Sequence, residues 1–322
     1  MKVFFADYHF PQTGPISFAV DEADDVYTEW VRRHFELLPE IALALALVKP
    51  GDVVLDIGAN IGAFAIPLGK AGCRVFAVEA LARNYCLLAH SILKNRLDSV
   101  VPLHLAVWKE NTVVTLGGYS AWGQIDDRKE GEQVPALTLD ALSEVYGLHN
   151  VGLLKLDIEG AELPVLQATE RFFRDNPGLR VIFESNDWTT IGFGYRYPRL
   201  LRAFEELGFD LYLIQGRRLV PRTSGDFQEK VYADYLAVPA GSAVEAPGFT
   251  VGPLTAEETA EIILIEIRQQ PKPHRAYLKA EIDRIPAAVR SLPAVAEELE
   301  GLETDPDPEL ADMVRSFNDV PA

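Results

Sequence analysis

The sequence predicts a doubly wound α/β fold, and three observations carry the prediction. Short apolar, β-branched runs recur through the middle of the chain, at 53–58, 74–79, 152–157 and 180–184, and read as strands buried on both faces. Stretches with apolar residues at helical spacing separate them. The first run stops at a glycine turn and the other three stop at an acid, the composition of a ligand-binding strand edge.

The elements follow in order. Residues 1–26 hold two β-rich runs around Thr13-Gly14-Pro15, a hairpin or edge ribbon. A helical pattern at 26–48 is interrupted at Pro39 and closed by Lys49-Pro50-Gly51-Asp52. Val53-Val54-Leu55-Asp56-Ile57-Gly58 is the opening strand, Ala59-Asn60-Ile61-Gly62 the turn, and 63–70 a helix that Pro67 should distort. A second strand, 74–79, ends at Glu79, and a helix at 82–95 follows. Residues 100–108 alternate as a third strand, with 113–116 pairing beside it. The polar stretch 117–132 carries Tyr119, Ser120, Trp122 and Gln124, a candidate substrate-facing loop. A short helix at 140–146 precedes the fourth strand, 152–157, and a helix at 161–173 precedes the fifth, 180–184. A helix opens at Pro198 and ends at Gly208. Strands at 210–215 and 232–238, joined through Gln215-Gly216-Arg217-Arg218, close the sheet at seven strands. From Pro239 the composition shifts: residues 241–322 hold 16 acids and 7 bases, and Thr255-Ala256-Glu257-Glu258 is a capping box before the apolar run 262–267. The division is therefore 1–48, an N-terminal β/helical extension; 49–239, the ligand-binding domain; and 240–322, an acidic helical tail that packs on the domain or on a second subunit.

Composition narrows the partners. The chain has 322 residues, 48 acids and 30 bases, a net charge of −18. That field repels phosphate backbones and anionic lipids, so neither nucleic acid nor a membrane is expected, and a small-molecule substrate is. No run approaches the ~20 apolar residues of a membrane span. Two isolated cysteines, Cys73 and Cys86, read as buried free thiols in a reducing compartment, and no export signal is visible; a cytoplasmic protein is expected.

The opening strand, glycine turn, helix and acid-tipped second strand make a nucleotide-binding half-fold. Glu79 can accept both ribose hydroxyls, while Asp56 and the backbone around Gly58 and Asn60 hold the far end of the ligand; Gly62, Ala80, Ala106 and Val107 complete the expected cofactor set. A dinucleotide turn needs a second glycine where Asn60 stands, which argues against a nicotinamide-dependent oxidoreductase. A ligand with adenine and ribose but no phosphate fits better, and S-adenosylmethionine is the common one. Asp157 and Glu184 end parallel strands beside that site, and Asp157-Ile158-Glu159-Gly160-Ala161-Glu162 brings three carboxylates around a glycine turn. Helix capping accounts for Glu162 and partly for Glu159, but poorly for an aspartate directly behind Lys155. Asp157, Glu159 and Glu184 are the catalytic candidates, and Asp157, Glu184 and Asn186 a candidate Mg2+ set. Acids on the acceptor side also argue against a non-catalytic cofactor-binding scaffold. His34 and His149 are read as ordinary surface or core histidines.

Three blocks of the sequence resemble the FkbM-type methyltransferases: Val54-Leu55-Asp56-Ile57-Gly58-Ala59-Asn60-Ile61-Gly62, Leu137-Thr138-Leu139-Asp140, and Leu154-Lys155-Leu156-Asp157-Ile158-Glu159-Gly160-Ala161-Glu162. The resemblance covers roughly residues 36–239. It implies a Rossmann-like class I methyltransferase sheet, S-adenosylmethionine as cofactor, and O-methylation of a hydroxyl on a sugar, glycolipid or polyketide-type molecule.

Overall fold

In the computed structural model, which describes residues 2–10, 12–23, 38–117, 124–125 and 131–321, the β-branched runs at the centre of the chain form a twisted sheet. The amino-terminal strands β1 (Val3–Phe10) and β2 (Gly14–Asp21) make an antiparallel hairpin of their own, followed by helix α1 (Pro39–Leu47). The main sheet begins with β3 (Val53–Ile57), helix α2 (Ala65–Lys70), β4 (Arg74–Glu79), helix α3 (Ala82–Asn95) and β5 (Val100–His104). The chain then leaves it for β6 (Ala106–Val107), β7 (Thr112–Gly117), β8 (Gln124–Ile125) and β9 (Glu132–Leu137), a separate small sheet. Helix α4 (Leu139–Tyr146) returns it to β10 (Val151–Leu156), and short helices α5 (Glu162–Gln167) and α6 (Phe172–Asp175) lead to β11 (Arg180–Asn186). Helices α7 (Asp187–Thr190) and α8 (Tyr197–Glu206) precede β12 (Phe209–Gln215), β13 (Arg218–Arg222), β14 (Tyr232–Pro239) and β15 (Thr250–Val251). Helices α9 (Ala256–Gln269), α10 (Lys272–Ala280), α11 (Ala287–Arg290), α12 (Pro293–Thr304) and α13 (Pro308–Asn318) end the chain.

The main-sheet order is β15-β13-β12-β14-β11-β10-β3-β4-β5. Strands β11, β10, β3, β4 and β5 run parallel, and β14 inserts antiparallel between β11 and β12. The doubly wound sheet is the one expected, but among the described residues it has nine strands, not seven. Gly216, at φ +58, turns β12 directly back into β13, and β15 adds beyond it. Residues 210–215 and 232–238 do pair antiparallel as expected, but the turn at Gly216 leads first into 218–222, which pairs with the other edge of β12. Residues 113–116 pair with β8 and β9 in the small sheet rather than beside β5.

The two-residue period of the strands divides the core. Leu55, Ile57, Leu154, Leu156, Val181, Phe183 and Tyr235 face the side covered by α4, α8 and the C-terminal helices. Val54, Leu153, Ile182 and Leu236 face the side covered by the hairpin, α1, α2 and α3. The even period sends Asp56, Lys155 and Asp157 to this second side, beneath α1.

Two helical expectations change. The helix expected over 161–173 is broken, because the Asp140 carboxylate accepts hydrogen bonds from the Glu170, Arg171 and Phe172 amides and starts a new turn there. Pro67 does not distort its helix: α2 starts at Ala65, so the missing amide is one of the first-turn donors that has no intrahelical partner. The N-terminal half of the helix expected at 26–48, His34, and the loop residues Tyr119, Ser120 and Trp122 lie outside the described residues. Cys73 is buried, but Cys86, expected to be buried, is exposed on α3. Among the described residues no helix is long and apolar enough to cross a membrane.

Candidate active site

Glycine 58 sets the geometry of the sheet's carboxyl edge. At φ +85 it turns the chain out of β3, and its amide and that of Ala59 donate to the Val78 carbonyl. A Cβ here would stand inside the Asp157 carbonyl, so the missing side chain lets β3 and β10 close up at their tips. The turn then reaches Asn60, left-handed at φ +50, whose amide donates to Glu79 Oε2 at 2.8 Å. Glu79 Oε1 accepts from the Leu81 amide at 2.8 Å. Burial pushes the Glu79 carboxyl up to about 7, against the pull of these two amides. The acid is thereby fixed in orientation at the end of β4.

A cavity of about 720 Å³ opens along this edge, within the usual range for a small-molecule site. Glu79, Ala80, Leu81 and Asn84 line one region, and Leu105, Ala106, Val107, Leu116 and Ile125 form an apolar wall near it. Gly58, Asn60, Lys155, Asp157 and Glu159 line the middle, and Glu40, Glu184, Lys230, Tyr232 and Asp234 line the side under β14 and α1. The structure therefore brings Gly58, Asn60, Glu79, Ala80, Ala106, Val107, Asp157, Glu159 and Glu184 into one cavity.

Three candidates do not line it. Asp56 is fully buried beneath the cavity floor as the register partner of Lys155. Neither of its oxygens accepts a hydrogen bond; the Ala65 amide is near enough to be felt but outside hydrogen-bond geometry. Burial raises the Asp56 carboxyl to about 6, with the Lys155 charge pulling it down. Gly62 serves packing: its Cβ would meet Ile66 and Leu88. Asn186 is the N-cap of α7, its side chain accepting from the Trp188 amide. With Asn186 so used, and no three His, Cys, Asp or Glu side chains among the described residues placed to hold a metal, the expected Mg2+ set does not assemble.

Lys155 is the electrostatic centre. Its Nζ donates to Asp157 Oδ2 at 2.7 Å. Burial opposes its charge, but Asp157 and Asp56 more than offset that and hold the ammonium well above its usual range. Around it, burial raises Glu40 and Glu159 to about 8 and Asp234 to about 6, with mutual repulsion adding to each. Burial, then the Asp157 charge, lifts Glu184 well above the carboxylate range. Glu159, left-handed at φ +55, has a buried Oε2 with no partner. The 157–162 turn is itself braced: Glu162 Oε1 accepts from the Ile158 amide, and Tyr195 donates to the Gly160 carbonyl at 2.8 Å.

Sequence reasoning missed Glu40, Lys230, Tyr232 and Asp234. The polar alternation Lys230-Val231-Tyr232-Ala233-Asp234 in a run otherwise buried was the available signal. His149 is exposed and away from the cavity.

A family model described as the methyltransferase FkbM domain matches residues 56–211, just under half of the chain, including the 56–62 turn, Glu79 and the 157–162 turn. Residues 56–211 are an FkbM methyltransferase domain. Similar to this FkbM domain is the 31-O-demethyl-FK506 methyltransferase FkbM of Streptomyces tacrolimicus, at 27% identity over 177 residues, 44% of this chain and 67% of that protein. The human tRNA (guanine(37)-N(1))-methyltransferase is 40% identical over 55 residues, 17% of this chain and 11% of that protein's length. Among solved structures, a TehB-like SAM-dependent methyltransferase from Corynebacterium glutamicum aligns with a TM-score of 0.40, at 13% identity, over 66% of this chain and 94% of its own. Precorrin-6y C5,15-methyltransferase from Geobacter metallireducens aligns at 0.38, with 12% identity, over 63% and 87%.

Proposed function

We propose that the chain transfers the methyl group of S-adenosylmethionine to a hydroxyl oxygen of a small polyhydroxylated acceptor. One observation carries the reading: a single cavity has a fixed ribose-clamping carboxylate, Glu79, at the tip of β4 and an ammonium-held carboxylate, Asp157, at the tip of β10. The donor set fits the cofactor. Glu79, held by two amides and the Asn84 side chain, keeps acceptor capacity for a ribose hydroxyl, Leu105, Ala106 and Val107 offer an apolar wall for a purine, and the carboxylates around Lys155 suit a cation. Bound there, the cofactor supplies an electrophilic methyl on a sulfonium.

The chain's own residues then position and deprotonate. Asp157, its Oδ2 held by Lys155, has Oδ1 free to take the proton of an acceptor hydroxyl. Glu159, raised by burial to about 8, holds a proton near neutrality and can donate a hydrogen bond to a neighbouring oxygen of the acceptor. Glu40 at the start of α1 and Leu38 cover the cavity and limit water around the transferring methyl.

O-methylation is favoured over methylation of tRNA because the matched segment of the tRNA methyltransferases is short and the cavity wall is acidic, which repels a phosphate backbone. The test is calorimetry with S-adenosylhomocysteine, followed by transfer of labelled methyl to a polyol panel and to bulk tRNA. Binding with label on a polyol oxygen is expected; label in tRNA alone overturns the O-methyl reading.

A further inference from the structure

The acceptor side of the cavity carries more negative charge than the proposed methyl transfer needs. Glu184 and Asp234 are register partners across β11 and β14, three and four strands away from Glu79 along the sheet. Both are withdrawn from bulk water, and nothing but other charges acts on either carboxylate: no donor among the described residues reaches them. Both line the cavity, and Asp234 also borders a smaller one beside it. The Lys155 and Lys230 charges offset part of the charge at Asp234, but neither ammonium hydrogen-bonds to the pair, Lys155 being bonded to Asp157 and standing against the unbonded Asp56.

Beside the pair stands an aromatic ring left open. Tyr232 lies two residues before Asp234 on the same face of β14, and it lines the cavity while remaining 45% exposed. His274, on α10 and hydrogen-bonded to Glu266, braces it edge-on at 5.8 Å, 85° between planes. An upright aromatic next to two unpartnered carboxylates is a receptor for an ammonium ion, through charge-assisted hydrogen bonds and the ring quadrupole.

We propose that the acceptor carries a protonated amine, as an amino-substituted sugar or cyclitol, and that Glu184 and Asp234 receive its ammonium beside Tyr232. This rests on the methyl-transfer reading above. The acid pair then selects the acceptor and Asp157 deprotonates its hydroxyl. The C-terminal helices enter recognition through His274, which holds the ring.

The experiment uses the full chain saturated with S-adenosylhomocysteine and compares glucosamine and 2-deoxystreptamine with glucose and myo-inositol by thermal shift and calorimetry. The amines should bind about tenfold or more tighter than the neutral polyols, and more weakly as salt rises. Glu184→Gln combined with Asp234→Asn should abolish that preference while leaving S-adenosylhomocysteine affinity unchanged. Equal binding of amines and neutral polyols, or no binding of the amines while S-adenosylhomocysteine binds, overturns the inference and leaves the methyl-transfer reading standing. A chain that does not bind S-adenosylhomocysteine overturns both.

Discussion

The Lys155 ammonium donates to Asp157 Oδ2 at 2.7 Å from two residues earlier on the same strand. Strand alternation puts both on one face, and the pair neutralises a carboxylate that the cavity would otherwise leave without a counter-charge. Asp157→Asn keeps an acceptor oxygen for Lys155 and removes the base. Methyl transfer should fall by about a hundredfold or more, with the melting temperature and S-adenosylhomocysteine affinity little changed. A variant that transfers methyl at the native rate would return Asp157 to a structural role.

Glu79 is held by the Asn60 and Leu81 amides, so its orientation precedes any ligand. Charge-assisted hydrogen bonds contribute about 1.5–3 kcal/mol each. Glu79→Ala should therefore weaken S-adenosylhomocysteine binding by roughly tenfold to a hundredfold, and titration calorimetry reads this directly. Unchanged affinity would remove Glu79 from the site.

Gly58→Ala should be far harsher than a glycine substitution in an open turn. The new methyl would meet the backbone of Asp157, which cannot rotate away, at a left-handed φ. Loss of soluble folded protein, or of all S-adenosylhomocysteine binding, is expected. Gly147→Ala, left-handed but with open space around it, is the control and should cost only about 1 kcal/mol.

Acidity should stabilise the ligand-free chain. Glu40 and Glu159 titrate at about 8, Glu79 and Glu162 at about 7, and Asp56, Asp187 and Asp234 at about 6. Each folded value lies above that of the unfolded chain, so the native state binds the extra protons, and stability falls as pH rises from about 4.5 to about 8. Melting temperatures between pH 5.5 and 8.5 should decline, and a cationic ligand in the cavity should flatten the decline. A rise over that range would contradict the burial of these acids.

Arg196 is buried, bonded to Asp187 at 2.9 Å and to Glu281 at 2.8 Å, and stacked near Tyr277 and Phe317. It ties the C-terminal helices to the loop that carries Tyr195. Arg196→Met leaves two carboxylates buried together and should cost about 3–5 kcal/mol. Adding Asp187→Asn and Glu281→Gln should recover part of it, as urea unfolding would show. For the same reason a chain ending at Pro239 should not fold as the intact one does.

Much of this was legible because local rules agreed with the fold. The strand runs, the left-handed turn and the acid at the tip of β4 are each set within a few residues, so sequence spacing was enough to place Glu79 and Asp157. What escaped depends on pairing between distant segments. Nothing near Asp234 announces Glu184, fifty residues earlier, until β14 inserts beside β11. The break at residues 168–171 is caused by Asp140 from another helix. Asp56 and Gly62 look like ligand contacts in the motif, yet they serve the floor and the packing of the turn.

The two cysteines end up in opposite chemical situations. Cys73 is enclosed and its thiol is raised to about 11, chiefly by burial, so little thiolate forms at neutral pH. Cys86 faces solvent on α3, two positions beyond Asn84, which lines the cavity. A maleimide dye should therefore react at a single place in the native chain. That place lies on the face of α3 opposite Asn84, about 200° round the helix, so one dye can be attached to the unaltered protein without entering the cavity.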